Sequence, residues 1–168
     1  MINKSKAGGV FRIQCLDPNG NLKWEAESHN LVVNVGLQDM NTKYFTNSGT
    51  YNAAWYIGLI QGPSAATIAA TDTLASHIGW TEFTAYTGSR KAATFGSASA
   101  ADPSIIATSP AASFSITGSG DVVGAFLTND ASTNSGLLFS ASNFTGGNRS
   151  VSNGDTLNVT YTFSLDAA

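Results

Sequence analysis

The sequence predicts an all-β domain, a β-sandwich or jelly-roll-like barrel with one short helix packed on it. Three observations carry this. Leu157, Val159, Tyr161, Phe163 and Leu165 alternate with Thr156, Asn158, Thr160, Thr162 and Ser164. Successive side chains of a strand point to opposite faces, so this stretch is a strand with one apolar face. Similar short segments recur at roughly regular spacing with Gly, Asn and Pro turn signals between them. The chain has 168 residues and no internal change of composition, which suits one domain with one sizeable core.

Taken in order, residues 1–9 are polar, end in Gly8-Gly9 and read as a flexible N-terminal arm. Residues 10–168 form the single sandwich domain. "VFRIQCL" alternates Val10, Arg12 and Gln14 with Phe11, Ile13 and Cys15, the pattern of a strand. "DPNGN" is a turn, and "LKWEAESHNLVV" is the return strand, with Lys23, Glu25 and Glu27 on one face. Val33, Leu37, Met40 and Tyr44 then recur at helical spacing, so a helix of about three turns is expected between Asn34 and Phe45, with Asn34 as N-cap. "AAWYIGLI" is a buried strand and "QGPSAATIAATD" a loop. "TLASHIG" reads as one helical turn capped by Asp72. "WTEFTAYT" alternates Trp80, Glu82, Thr84 and Tyr86 with Thr81, Phe83 and Ala85, again a strand. "RKAATFGSASAADPSIIATSP" is a strand running into an Ala/Ser loop. "AASFSITG", "VVGAFLTN", "LLFSASNF" and the closing segment form a meander.

Composition restricts the function classes. Charged residues are 11% of the chain, against about 25% in an average soluble domain. Ser, Thr, Asn and Gly supply the missing polarity. Such a surface suits turns and β-branched strands. It also suits a surface that other subunits cover, because charges at the centre of a contact are costly. The net charge is −3, and the one adjacent basic pair, Arg90-Lys91, has no aromatic platform beside it. No nucleic-acid partner is expected. No apolar run reaches the roughly 18 residues of a membrane helix, and "MINKSKAGG" has no signal-type apolar region after it. The expectation is a soluble protein made in a reducing cytoplasm, with no membrane partner. Cys15 is the single cysteine, which leaves no internal disulfide and no CxxC zinc site.

Chemical motifs are sparse. His29 and His77 are the two histidines and share no HxxxH or HxH spacing. Asp72, Ser76, His77 and Glu82 are the best catalytic candidates, but neighbours in one loop rarely meet as nucleophile, base and orienter. Ser76 has no GxSxG frame. Glu25 and Glu27 share one strand, whereas a glycosidase pair faces across a cleft. The glycines of "TGSGDVVG" precede a strand rather than a helix, so they are no phosphate cradle. The acceptor patterns at Asn143, Asn148 and Asn158 are those expected by chance in a chain rich in Asn, Ser and Thr. Trp24, Trp55 and Trp80 could stack on sugars; at strand positions they read as core. The reading is therefore non-enzymatic, with no cofactor and no metal.

Several blocks together resemble a group of small structural proteins of tailed bacteriophage particles. They are "LKWEAESHNLVVNVGL" (22–37), "WYIGL" (55–59), "DTLASHIGWTEFTAY" (72–86) with Arg90, "GAFLT" (124–128) and "GNRSVSNGDTLNVTYTFSL" (147–165). The arm before residue 10 and the Ala/Ser loop near 97–112 depart from that pattern. The resemblance implies a virion protein of the outer particle surface, made in the host bacterial cytoplasm. Its first expected role is a capsid decoration (cement) protein that stabilises the head shell. The alternative is a neck, collar or tail component that anchors a fibre, with or without receptor binding. Expected partners are the major capsid protein or other virion proteins, and further copies of the chain as a trimer or dimer. Candidate docking residues are Ile2, Asn3, Lys4 and Lys6 in the arm, and Ile105 and Ile106 in the Ala/Ser loop. A hydrolase using Asp72, His77 and Glu82 is the reading from another class.

Overall fold

The computed structural model describes residues 6–46, 48, 51 and 54–167. In chain order the elements are β1 (Lys6–Leu16), β2 (Leu22–His29), β3 (Leu31–Val32), α1 (Asn34–Asn41), β4 (Tyr56–Gln61), β5 (Glu82–Phe83) and β6 (Lys91–Ala92). They continue with β7 (Ser104–Ala107), β8 (Ala112–Ser115), β9 (Gly120–Thr128), β10 (Leu138–Asn143), β11 (Arg149–Val151) and β12 (Thr156–Asp166). All pairings between these strands are antiparallel. One sheet has five strands in the order β2-β1-β12-β7, with β8 also on β12. The other has seven, in the order β3-β10-β9-β4-β5, with β11 on β9 and β6 on β4. This is the expected all-β sandwich with one short helix.

The apolar faces of the two sheets meet in the main core. Phe11, Ile13, Phe114, Leu157, Val159 and Tyr161 come from the five-stranded sheet, and Ile57, Leu59, Val122, Ala125 and Leu127 oppose them. Alternation along β1 and β12 puts these residues inside and Arg12, Gln14, Asn158 and Thr160 outside. A second core lies on the far side of the seven-stranded sheet. There Ile60, Val123, Phe126, Leu138 and Ala141 are covered by Leu74 and Trp80 from the long loop 62–81, with Ala66 and Ile68 at its margin. From Val122 to Thr128, β9 is therefore buried on both faces, as its unbroken run of apolar residues requires.

Several local expectations change. The return strand does not run through to Val33. It divides at Asn30, whose amide still bonds Gly9 O at 2.9 Å, while Leu31 and Val32 pair with Ala141 and Ser140 of the other sheet. Strand β1 begins at Lys6, so residues 6–9 are rungs opposite 163–166 rather than part of an arm. The helix is α1 followed by a π-helical turn at Thr42–Thr46. Its N-cap is Val33, without a side-chain bond; the amide of Asn34, itself already helical, is met instead by the carbonyl of Ala70 at 2.8 Å. Gly36 lets the helix lie directly on β10, since a Cβ there would stand 2.6 Å from Phe139 O.

"TLASHIG" forms no helical turn. Thr73 and Ser76 exchange backbone bonds instead, and Asp72 caps nothing helical: it accepts from Ala69 N and Trp80 Nε1, both at 3.1 Å. The strand expected over 80–87 shrinks to Glu82–Phe83, because Trp80, Phe83 and Tyr86 are the buried residues there and period three does not fit a pleat. Within the Ala/Ser stretch, Ser104–Ala107 is strand β7, paired with Thr162–Leu165.

Candidate functional site

Two surfaces and two buried polar clusters stand out. The first surface is a cleft of about 590 Å³ at one end of the sandwich, where the sheets part. Trp55, Phe95, Phe139, Tyr161 and Phe163 line it, with Met40 of α1 at its wall. The rings interlock: Phe139 meets Trp55 and Phe163 edge-on, each with centroids 5.5 Å apart. No charged side chain lines the cleft. Tyr161 is held by a 2.7 Å bond from Asn30 Nδ2 and a longer one from Ser140 Oγ, and burial pushes its phenol pKa above the ordinary range. Beside the cleft, Tyr44, Phe45 and Tyr51 are 83%, 76% and 69% exposed. Tyr44 and Phe45 pack edge to face, with centroids 4.9 Å apart.

The second surface is the outer face of the five-stranded sheet. Arg12, Gln14, Glu25, Glu27, Asn158 and Thr160 line a shallow groove of about 630 Å³ there. Cross-strand pairing puts Arg12 between Glu27 and Thr160, and Arg12 Nε donates to Glu27 at 2.7 Å. Both side chains are largely in water, so the pair adds little stability. The centre of this face is the row Thr156, Asn158, Thr160, Thr162 and Ser164, half-buried by their neighbours and uncharged.

Charge is instead concentrated in the interior. Arg90 is buried. Its Nε donates to both Glu82 oxygens at 3.0 and 3.2 Å, and its Nη2 to Glu82 Oε2 at 2.8 Å. Nη1 donates to Asp130 O at 3.0 Å and Thr133 O at 2.7 Å, and Nη2 also reaches Asn134 Oδ1 at 3.1 Å. The guanidinium lies 5.3 Å from the Phe126 ring centre. One planar fork thus ties β5, the turn before β6 and the β9–β10 loop together. Within that loop, burial works to raise the pKa of Asp130. The Thr133 hydroxyl and the amides of Thr133, Ser132 and Gly136 outweigh it and hold the carboxyl far below the usual range. Tyr86 donates to Glu82 at 3.3 Å, and burial followed by the Glu82 charge raises its phenol pKa.

The second cluster closes the opposite margin of the core. Buried Asp155 accepts from Lys23 Nζ at 2.6 Å, Ser152 N at 2.8 Å and Cys15 Sγ at 3.7 Å. Burial first, then the negative Asp155, pushes the Cys15 thiol up to about 11. The bond from Asp155 raises the pKa of Lys23.

The expected docking residues divide between faces. Ile2, Asn3 and Lys4 lie outside the described residues. Lys6 is exposed at the start of β1, opposite Asp166. Ile105 and Ile106 do not form one patch, because strand alternation separates them. Ile105 is exposed on the outer face beside Ser164, while Ile106 turns inward and lines the cleft. The best catalytic candidates are engaged apart from one another. His77 stacks on Trp80 at 3.8 Å and places Nδ1 3.0 Å from Trp80 O. Asp72 holds the Trp80 indole, Ser76 is in a backbone turn with Thr73, and Glu82 is gripped by Arg90. Glu25 and Glu27 share an exposed strand face, and Glu27 is paired to Arg12. Trp80 is core, and Trp24 and Trp55 pack half-buried against the main core.

Among the described residues there is no group of three or more His, Cys, Asp or Glu side chains placed to hold a metal ion. No helix among them is long and apolar enough to cross a membrane. The Arg90 cluster and the Tyr44-Phe45 face escape sequence reasoning for different reasons. Arg90 finds its carbonyl partners forty or more positions away. Tyr44 has the spacing of a core-facing helical residue, but the π-helical turn at Thr42–Thr46 turns it outward. No protein-family model, no curated protein and no solved structure matches this chain.

Proposed function

We propose that this chain is a non-enzymatic structural protein of a tailed-phage particle, and that it acts as a decoration protein on the head shell. The observation that supports this most is the distribution of charge. Arg90, Glu82 and Asp155 are spent inside the fold on stapling loops and strands. The broad outer face of β12 and the aromatic face beside α1 are left neutral. Neutral Thr, Ser and Asn rows can hydrogen-bond to a neighbour without the desolvation cost of buried ions. Exposed aromatics supply contact area at low entropic cost.

The mechanism is linkage. A protein that binds the assembled lattice and not its free subunits shifts the equilibrium towards the lattice. Copies docking to one another as a dimer or trimer multiply this effect through symmetry. The test uses purified protein and empty heads of the phage that encodes it. Binding that raises the melting temperature of the heads supports the reading. Binding confined to portal-bearing tails instead makes it a neck or tail component, and failure to bind either particle overturns it.

A further inference from the structure

We infer that the face formed by Tyr44, Phe45, Tyr51 and the adjoining inter-sheet cleft is where a second copy of this chain docks. The inference rests on the structural reading above for the need that copies meet, but its test requires no particle.

The argument begins with shape. Tyr44 and Phe45 project from the π-helical turn as a pair of mutually packed rings. Met40, one helical turn earlier, is a wall of the cleft, and Tyr51 forms its rim. Projecting rings and an apolar recess therefore occupy the same face of one molecule. Such a face is complementary to itself, the condition for a symmetric contact between copies.

Charge agrees with shape. The one ion pair on this face, Lys43 with Asp39 at 2.9 Å, cancels internally. The cleft itself has no charged lining residue. A partner chosen by charge finds nothing here to read, whereas a second neutral copy meets no repulsion. Area agrees as well. At 83%, 76% and 69% exposure, three rings on each of two copies offer roughly 900 Å² between them. Leu37, also exposed on α1, adds to this. A specific contact needs about 1,000 Å² or more, so the face suffices for a weak to moderate dimer and for little more. Scattered single apolar residues are ordinary on a surface; a contiguous cluster beside an open apolar recess is not.

The experiment is sedimentation of the purified full chain up to about 100 µM. Concentration-dependent self-association is expected. The double variant Tyr44→Ser/Phe45→Ser removes the projecting rings, and Ala92→Arg places a charge at the exposed rim of the recess. Each alone is expected to weaken association about 30-fold or more. Mixing the two variants restores association in part, because the rings of one still fit the recess of the other. Ile78→Ser, at a fully exposed position on the 73–81 turn, leaves association unchanged. Every altered side chain is exposed, so melting temperatures stay near that of the parent chain and folding is not the confounder. A monomeric parent chain at the top concentration overturns the inference, as does a double variant that associates as tightly as the parent, or a mixture no better than its components. Association-defective variants that still bind heads separate this inference from the proposed function; dimers that bind no particle do the reverse.

Discussion

The two sheets of this sandwich are finished in opposite ways. The seven-stranded sheet is closed on both sides, by the main core on one face and by Leu74 and Trp80 on the other. The five-stranded sheet is closed on one side and presents its second face as a neutral polar row. Folding energy resides in the first arrangement, and the second is free to serve contact. Gly124 shows how tight the closed sheet is: a Cβ there would lie 2.0 Å from Ser142 O on the neighbouring strand. The outer row, by contrast, changes shape at little cost to the fold.

The difference is open to attack at its strongest point first. Trp80→Ala removes the plug over Phe126 and frees Asp72 and His77. It is expected to cost about 3–5 kcal/mol, read as a fall in the denaturant midpoint. Arg90→Ala strands Glu82 and the Asp130 and Thr133 carbonyls in a buried position, and is expected to cost a similar 3–5 kcal/mol or so. A loss of under about 1 kcal/mol for either would mean that the second core and its staple are ornamental.

Asp130→Asn comes next, with an expected loss of about 1–3 kcal/mol at neutral pH. Its pH dependence has a definite sign. The folded carboxyl sits far below the usual range, and the unfolded one takes up its proton near pH 4 or so. The stabilisation from Asp130 is thus full above that pH and is lost progressively as pH falls below it. In the Asn variant, the acid slope of stability over that window is shallower. An unchanged slope would contradict the hydrogen-bonded loop.

Cys15 probes the sealed side of the open sheet. Its thiol is raised from 9.0 to about 11 in the fold, so its contribution is full below about pH 9 and falls as pH rises towards 11. Cys15→Ala is expected to flatten that alkaline decline. A thiol reagent at pH 8 or so should label the parent chain only after unfolding, because the sulfur is buried. The smallest effect belongs to the outer row: Thr160→Ala is expected within about 0.5 kcal/mol of the parent.

The same contrast explains what was legible in the sequence. A sheet buried on one face writes itself as alternation, so β1 and β12 were readable. A sheet buried on both faces writes an apolar run, legible at β4 and β9 as strands but silent about what covers them. The cover is loop 62–81, where Ala66, Ile68, Leu74 and Trp80 follow no period. At 80–86 alternation misled, because Trp80, Phe83 and Tyr86 serve a loop path and not a pleat. The switch of sheets at Asn30 left no mark in "HNLVV", where both halves are β-forming. Ile105 and Ile106 looked like one apolar pair until pairing with Ser164 and Phe163 divided them between faces. The exposed Tyr44 has helical spacing, and only the geometry of the turn shows which way it points.

The central claim is that neutral surfaces of this molecule bind a particle lattice. Its most direct measurement is the number of copies per purified particle, from a quantified gel against the major shell protein. The account predicts a stoichiometry on the scale of the shell subunits, with the chain on the outside and removable without loss of the packaged DNA. Absence from the particle, together with a purified monomer that turns over a substrate, would contradict it.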